Sequence, residues 1–336
     1  MRDYRGLKVL VTGADGFIGS HLTERLAAAG ANVTALACYN SFDSHGWLDE
    51  VPYETRATLK LHRGDVRDSD FIRELVRGQD IVFHLAALIA IPYSYIAPQS
   101  YVETNVLGTL NVMQSARQHQ VRRVIHTSTS EVYGSAITVP IDEGHPLQGQ
   151  SPYSASKVAA DMMAEAFSRS FGLPVAILRP FNAFGPRQSE RAIIPTLIRQ
   201  VLDPACEVIE VGDISTVRDF TFVHDTASAF MRLGLAPGIR FGQAYNAGSG
   251  TSVTVGELVE MIAALTGCKK PVRQTPERMR PAESEVRALL ADSSRMIEST
   301  GWNVTTSLRD GLSRTIAWWR DRLDRRLVRQ TTEFVT

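Results

Sequence analysis

The chain has 336 residues, 44% of them hydrophobic and 21% charged, which is ordinary for a globular protein. Its 36 basic and 36 acidic residues balance, which argues against a surface that binds nucleic acid or anionic membrane. Cys38, Cys206 and Cys268 lack metal-site spacing, and we find no signal peptide or long apolar run. We therefore expect a cytoplasmic protein without a metal, in which local arginines hold any anionic ligand.

Three glycines follow the first predicted strand, Lys8 to Thr12, and lead into an amphipathic helix. Glycines permit a tight turn and close backbone approach, and the start of a helix offers N–H groups and a positive dipole to a pyrophosphate. Between a strand and a helix at the start of an α/β chain, this pattern predicts a dinucleotide site. Its residues are Gly13, Gly16, Phe17, Ile18 and Gly19.

The fourth predicted strand, Asp80 to Leu85, is followed first by small and then by apolar residues. Ala86 and Ala87 are small enough to let a cofactor lie against the backbone. The loop from Leu88 to Tyr95 is unusually apolar, and it is either buried packing or a wall over a substrate. The long connection from Ser41 to Thr58 is likewise either a surface excursion or a flap near the cofactor.

Hydroxyl and carboxyl side chains follow a predicted strand that ends near His126. In an open parallel sheet, the C-terminal edge of the strands is where ligands bind. The side chains that we expect to emerge together at this edge are Ser128, Thr129, Ser130 and Glu131.

A helix predicted to begin near Tyr153 supplies a possible proton acceptor. Ser151 is a good N-cap and Pro152 suits the first helical position. Lys157 is four residues after Tyr153 and therefore lies beside it on one helix face. To act as a base near neutral pH, a tyrosine needs its pKa lowered by about 3 units, or about 4 kcal/mol. A nearby ammonium and a nicotinamide cation could supply that shift.

The motifs Gly-x-x-Gly-x-x-Gly and Tyr153-x-x-x-Lys157 resemble the extended short-chain dehydrogenase/reductase family, and the resemblance spans nearly the whole chain. It implies an α/β fold with a Rossmann-type doubly wound parallel sheet and a smaller mixed α/β C-terminal lobe. We expect a cofactor domain over residues 1–180, with later returns near 219–247, and a mainly substrate-binding lobe over 181–330. The family also implies a homodimer that pairs the helix predicted over 100–118 with the tyrosine helix.

The resemblance also assigns cofactor contacts beyond the glycine-rich loop. Asp65 and Val66 match the pair that contacts adenine, and Ser128 joins the cofactor residues. NAD-dependent members usually have an acidic residue at the end of strand two. That strand is predicted over Asn32 to Leu36, and the position is occupied by Ala37. Because no arginine nearby would neutralise a 2′-phosphate, we predict NAD, with NADP left open.

Arginines are frequent after Pro180, where the alternation of strands and helices ends. Arginine suits phosphate because it can donate two parallel hydrogen bonds. Singly, each arginine could equally be a solvated surface charge. In sugar-nucleotide enzymes of this family, matching segments hold the nucleotide diphosphate. The resemblance thus implies a substrate site that includes Asn182, Arg187, Arg191, Arg218 and Arg280.

Glu131 favours a particular reaction. Sugar epimerases of this family usually have small residues at its position, whereas a 4,6-dehydratase needs a carboxylate near C5 and C6. The run Ser-Thr-Ser-Glu-Val-Tyr-Gly resembles the GDP-mannose 4,6-dehydratase pattern, with Ser130 where dTDP-glucose enzymes have aspartate. We therefore expect Glu131 to act with Thr129, Ser130, Tyr153 and Lys157 in catalysis.

The substrate is inferred from resemblance to NAD-dependent 4,6-dehydratases of the legionaminic acid pathway, which supply surface polysaccharides. The matching stretches include His84 to Tyr95 and Gly46 to Asp49. Those enzymes convert GDP- or UDP-N-acetylglucosamine to the 4-keto-6-deoxy sugar. A UDP-glucuronate decarboxylase, a nucleotide-sugar 4-epimerase or reductase, and a non-catalytic NAD-binding sensor or scaffold stay as alternatives.

Overall fold

The computed structural model describes residues 3–279 and 286–328. Its strands are β1 (Lys8–Thr12), β2 (Asn32–Cys38), β3 (Lys60–Gly64), β4 (Ile81–His84), β5 (Arg123–Thr127), β6 (Val175–Pro180), β7 (Ala183–Phe184), β8 (Ile209–Val211), β9 (Val217–Asp219), β10 (Thr221–Phe222), β11 (Ala244–Ala247), β12 (Ser252–Thr254) and β13 (Val272–Gln274).

The helices lie between these strands. They are α1 (Phe17–Ala28), α2 (Tyr53–Arg56), α3 (Ser69–Val76), α4 (Ile91–Ile96), α5 (Pro98–Tyr101), α6 (Gly108–Gln118), α7 (Pro152–Phe171), α8 (Ile193–Leu202), α9 (Val223–Leu235), α10 (Val255–Thr266), α11 (Ser294–Thr300) and α12 (Leu308–Asp324). A π-helical stretch, Val102–Leu107, joins α5 to α6, and short 3₁₀ helices occur at Gly46–Glu50, Ser130–Tyr133 and Pro276–Arg278.

Seven strands form one parallel sheet in the order β11-β6-β5-β4-β1-β2-β3. Central strands such as β1, β4 and β6 are apolar and buried along almost their whole length, as expected for a sheet covered by helices on both faces. The strand order reverses at β1, and ligands bind such sheets at the carboxyl ends beside this switch point. The predicted doubly wound α/β fold is confirmed.

The remaining strands pair two by two, β10 with β7, β12 with β9 and β13 with β8. They pack with α8, α10 and α12 around a separate apolar cluster that includes Ile198, Leu258 and Trp319. The predicted loss of regular alternation after β6 is therefore confirmed. The proposed division into two domains at residue 180 stays a prediction, although β11 does return to the main sheet.

Two predicted boundaries near the cofactor edge differ from the structure. β2 runs to Cys38, two residues beyond the predicted end at Leu36, because its pairing with β3 continues to Cys38 opposite Gly64. The helix predicted over 100–118 starts at Pro98 and includes the π-helical stretch. Within the two described ranges, no helix is both long and apolar enough to cross a membrane.

Candidate active site

The turn after β5 presents the predicted hydroxyl and carboxyl groups together. Thr129 has extended backbone and caps the 3₁₀ helix by accepting a hydrogen bond from the Glu131 N–H at 3.2 Å. Ser130 is buried in that helix, whereas Glu131 is partly exposed. The cap therefore holds the Glu131 carboxylate at the carboxyl edge of the sheet.

The helix that carries Tyr153 and Lys157 starts as predicted. Ser151 and Ser154 form a reciprocal capping box, and Pro152 occupies the first turn of α7. Tyr153 is 8% exposed and Lys157 4% exposed, so both lie on the inward face of the helix. The four-residue spacing thus places the two side chains on the same buried surface, as the sequence predicted.

The backbone of β5 fixes the Lys157 side chain. Its ammonium donates a 2.6 Å hydrogen bond to the carbonyl oxygen of Thr127, the last residue of β5. Burial lowers the pKa of Lys157 to about 8, while the Asp161 carboxylate acts in the opposite direction. Lys157 is therefore a cation whose charge is lost only slightly above neutral pH.

The protein groups around Tyr153 do not by themselves make its hydroxyl acidic. Burial raises the pKa of Tyr153, and the negative charge of Glu131 raises it further. A hydrogen bond with Thr129 acts in the opposite direction. The predicted lowering of the pKa therefore needs a further positive charge beside the ring, which an oxidised nicotinamide would supply when bound.

A buried ionic cluster that sequence reasoning missed lies one helical turn beyond Lys157. Asp161 is fully buried and accepts hydrogen bonds from Ser128 Oγ at 2.7 Å and from Arg179 Nη2 at 3.0 Å. The His126 ring lies 3.3 Å from its second oxygen. Burial alone would raise the pKa of Asp161, but His126 and Arg179 hold it below its usual value. Its position four residues after Lys157 was the available signal.

Ser128 belongs to this cluster. Its side chain is 5% exposed and donates to Asp161, and its predicted contact with the cofactor stays a prediction. Arg179 continues the network by donating to the Tyr133 hydroxyl at 2.9 Å, which in turn donates to Asn246 at 2.6 Å. The network joins β5, β6, α7 and β11 one helical turn beyond Lys157.

The apolar loop after β4 packs over Tyr153. Leu88 and Ile91 contact a small cluster with Tyr101 and Tyr153, and the two tyrosine rings meet edge to face at 6.2 Å. Of the two interpretations of this loop, buried packing is therefore present. Because Leu88 and Ile91 pack in one cluster with Tyr153, the loop lies beside the predicted base, and its role as a wall over a substrate stays a prediction.

Asn105, from the π-helical stretch, fixes that wall. Its side chain accepts from Leu88 N–H at 2.8 Å and donates to Leu88 O at 3.0 Å and to Ser156 Oγ at 2.9 Å. It is 1% exposed. A buried asparagine inside an apolar helix was the sequence signal, and its bonds join the loop to α7.

The residues predicted to bind the cofactor form a tight cradle between β1 and β4. Gly13 has φ +65°, and a Cβ there would stand 2.7 Å from Ala86 N. A Cβ at Gly19 would stand 2.0 Å from Gly13 O. Thr12 Oγ1 accepts from the N–H groups of Leu85 and Ala86, both at 3.1 Å. This close backbone approach, which only glycine permits, fits a dinucleotide at the switch point.

The other predicted cofactor residues occupy neighbouring positions. Phe17 and Ile18 begin α1 directly after the glycine-rich loop, and Gly16 is its N-cap. Asp65 and Val66 directly follow β3, although the Asp65 carboxylate is paired with Arg67. Their individual contacts with a cofactor stay predictions.

The predicted substrate residues are less closely organised. Asn182 donates to Asp219 O at 3.1 Å, Arg187 pairs with Glu24 of α1 at 2.5 Å, and Arg218 is 8% exposed and donates to Val217 O. Arg191 is exposed, and its positive charge acts to lower the pKa of Tyr101, whose ring contacts that of Tyr153. Arg280 lies outside the described residues.

Known proteins resemble the chain along most of its length. The family model described as GDP-mannose 4,6 dehydratase matches residues 10–315. A dTDP-glucose 4,6-dehydratase of Actinoplanes sp. is 33% identical over 94% of this chain and 98% of its own. A UDP-glucose 4-epimerase of Mycolicibacterium smegmatis is 32% identical over 94% of this chain and 99% of its own.

Solved structures agree with these relatives. DesIV, a dTDP-glucose 4,6-dehydratase from Streptomyces venezuelae determined with NAD and TYD bound, has a TM-score of 0.86 at 30% identity and covers 95% of this chain and 98% of its own. MoeE5 in complex with UDP-glucuronic acid and NAD has a TM-score of 0.80 at 34% identity, with 94% and 99% covered. The chain belongs to the GDP-mannose 4,6-dehydratase-like family of NAD-dependent nucleotide-sugar epimerases and dehydratases.

Proposed function

We propose that this protein is an NAD-dependent 4,6-dehydratase, a hydro-lyase that converts GDP- or UDP-N-acetylglucosamine to its 4-keto-6-deoxy sugar. The family model and the dTDP-glucose 4,6-dehydratases among the relatives support the reaction class. The choice of N-acetylglucosamine, and of the legionaminic acid pathway in the cytoplasm, rests on the resemblance of the sequence around His84 to Tyr95 and Gly46 to Asp49.

The observation that carries this proposal is the position of Glu131. It lies in the first turn after β5, two residues from the Thr129 hydroxyl that bonds Tyr153, and its charge acts on Tyr153 itself. A carboxylate at this place can reach the carbons next to the one whose hydroxyl meets Tyr153. Epimerisation at C4 needs no such group, whereas removal of water from C5 and C6 does.

The residues then divide the proton transfers between them. Tyr153, aided by Lys157 and Thr129, accepts the proton of the 4-hydroxyl, and Glu131 takes the C5 proton that the 4-ketone has made acidic. Glu131 returns that proton to the departing C6 hydroxyl, which leaves as water, while Ser130 helps to hold the turn. NAD, when bound, would supply the hydride acceptor at C4 and the hydride donor at C6. As C6 is reduced, C5 takes up one proton, which balances the proton that Tyr153 accepted and now releases, so the cofactor and Tyr153 both return to their starting states.

The C-terminal half would hold the nucleotide diphosphate. We propose Asn182, Arg187, Arg191, Arg218 and Arg280 for this role, and residues 181–330 as the main substrate lobe. Among the described arginines we favour Arg191. It is exposed, and its charge acts to lower the pKa of Tyr101, which packs against Tyr153. Arg187 would have to share its guanidinium between a phosphate and Glu24.

We also propose a homodimer. Its interface would be formed by α7 and by α6 together with the π-helical stretch that precedes α6. Val102 is 51% exposed, Leu107 47% and Met162 43%, and all three lie on these helices. Met113 of α6 is buried in the core and does not belong to this exposed face. Exposed apolar side chains on adjacent helices are suited to pairing with a second copy of the chain. Sedimentation that finds only a monomer would contradict this arrangement.

The test is mass spectrometry of sugar nucleotides after incubation with the purified protein and NAD. GDP-N-acetylglucosamine, UDP-N-acetylglucosamine, GDP-mannose and UDP-glucuronate are offered in parallel. Loss of one water from a single N-acetylglucosamine nucleotide is expected. Loss of carbon dioxide from UDP-glucuronate would overturn the proposal, and so would the absence of any mass change in all four reactions, which is what a C4 epimerase would give. In a Glu131→Gln variant the water loss should be slower by about 10²-fold or more.

A further inference from the structure

The end of β2 contributes no acidic side chain to the cofactor edge. Ala37, at the position expected to be acidic, is fully buried within the strand, and Cys38 is the last strand residue. An acidic residue about twenty positions after the glycine-rich loop ordinarily hydrogen-bonds the adenosine ribose of NAD. Recognition of that ribose must therefore come from another element in this chain.

The Asp15 carboxylate occupies this place from the glycine-rich loop. Its Oδ2 accepts a hydrogen bond from the Cys38 N–H at 3.2 Å, so the carboxylate lies at the carboxyl end of β2. The backbone oxygen of Asp15 accepts from Trp47 N–H at 3.1 Å, and a Cβ at Gly46 would lie 2.8 Å from that oxygen. Both bonds fix Asp15 between the glycine-rich loop, which would hold the pyrophosphate of a bound dinucleotide, and the end of β2, where the adenosine ribose would lie.

The charges around Cys38 add to a negative value. Burial raises the pKa of the Cys38 thiol, Asp15 and Asp65 raise it further, and Arg67 lowers it. Two carboxylates and one guanidinium give a formal charge of −1. Arg67 is already held by Asp65 at 2.9 Å and by Glu103 at 3.3 Å.

A second arginine close to this edge is also paired. Arg63 of β3 lies opposite Ala37 in the sheet and forms an ion pair with Asp43. The sequence predicted no arginine near the end of β2, and this is wrong. In the folded sheet, β3 and the turn after it place Arg63 and Arg67 close to that end. Each would have to leave a carboxylate before it could bind a 2′-phosphate.

We propose that Asp15 is the residue that selects NAD over NADP. Its carboxylate accepts a hydrogen bond from the ribose diol and repels a phosphate on the 2′-oxygen, while Asp65 and Asp43 keep the two arginines occupied. This inference concerns the cofactor alone and does not depend on which sugar the enzyme converts.

The test measures the dissociation constants of NAD and NADP by calorimetry, without sugar, for the wild type and for Asp15→Asn. Asparagine keeps an oxygen that can accept from Cys38 N–H but removes the charge. The ratio of the NADP constant to the NAD constant should fall at least tenfold, equivalent to about 1.4 kcal/mol. Asp70→Asn, which removes an exposed carboxylate from α3, is the matched control and should leave the ratio unchanged.

An equal change in both constants, or no change in either, would show that Asp15 only joins the loop to β2, and would overturn the proposal. A measurement on the wild type covers the case in which Asp15→Asn does not fold. Because salt screens charge repulsion, the same ratio should fall as ionic strength rises from about 0.02 to 0.5 M. A ratio independent of salt would mean that NADP is excluded by shape, and would likewise overturn the role given to the Asp15 charge.

Discussion

The buried ionic cluster around Asp161 and the arginines of the C-terminal half both carry charge, but they differ in how many partners fix the charged groups. Asp161 is fully buried and bonded by Ser128 and Arg179, which come from two separate strand ends. Arg187, by contrast, has a single carboxylate partner, and Arg191 is exposed. From this difference we predict that the proposed proton-transfer groups are held rigid before a substrate binds, whereas the proposed diphosphate-binding arginines adjust to it.

The largest effect is expected at the centre of the rigid region. Tyr153→Phe keeps the ring that packs against Tyr101 but removes the proton acceptor, so kcat should fall by about 10⁴-fold. The melting temperature should change little, because the ring stays in the apolar wall. Steady-state rates and thermal denaturation of the same preparation measure both. Substantial residual activity would mean that another group accepts the 4-hydroxyl proton.

Glu131→Gln should lower turnover by about 10²-fold or more, since the amide cannot take the C5 proton. The first hydride transfer would still occur, so reduced nicotinamide should accumulate on the enzyme, which its absorbance or fluorescence reports. Glu298→Gln, which makes the same change at an exposed glutamate of α11, is the control and should leave turnover unchanged. Normal turnover in Glu131→Gln would remove the main support for the dehydratase.

Asp161→Asn tests the rigidity of the buried cluster. The change leaves Arg179 buried without its counter-charge, and breaking such a pair costs about 3–5 kcal/mol. Ser128→Ala removes only one hydrogen bond to the same carboxylate and should cost about 1–2 kcal/mol. Urea denaturation measures both. Equal and small losses would mean that the cluster is not a rigid support, and would remove the contrast with the arginine region.

The contrast also explains what the sequence could predict. The helical repeat alone predicted that Tyr153 and Lys157 share one helix face. The position of a strand end predicted that the polar side chains after β5 lie together. Local spacing in the sequence was therefore sufficient for both predictions. Asp161 has the same helical signal, but its meaning depends on Arg179, which arrives from β6. The pairing of Arg187 with Glu24 joins positions far apart in the chain, and no local pattern indicates it.

The cofactor edge shows the same limit. The glycine-rich loop was recognised because its turn and its helix start are local features. The occupation of Arg63 and Arg67 by carboxylates was not recognised, because β3 brings them beside β2 only in the folded sheet. The net charge at the end of β2 depends on which strands lie beside it. The order of strands in the sheet is set by tertiary packing, so no single segment of the sequence predicts that charge.

The buried ammonium of Lys157 should appear in the pH dependence of stability. Its pKa is about 8 in the folded protein against an ordinary 10.5, so between these values the folded state binds fewer protons than the unfolded state. The free energy of unfolding of the wild type should therefore rise with pH in this window, by up to about 3 kcal/mol relative to Lys157→Met. Lys60→Met, at an exposed lysine, is the control. A difference between wild type and Lys157→Met that does not vary with pH would contradict the shifted pKa.

The smallest effect is expected at Arg187, where two interpretations differ. Under the first interpretation, Arg187 serves only its ion pair with Glu24. In that case Arg187→Gln and Glu24→Gln should each lower the free energy of unfolding by about 1 kcal/mol or less, because the two side chains are 13% and 24% exposed. Neither variant should then change KM. If Arg187 also binds the diphosphate, Arg187→Gln should raise KM for the sugar nucleotide several-fold, since it removes a charge-assisted hydrogen bond. Glu24→Gln should then lower KM slightly, because it frees the guanidinium. KM values and denaturation curves for the two variants therefore decide between the two interpretations. Arg187 either binds the diphosphate or only stabilises the fold through Glu24.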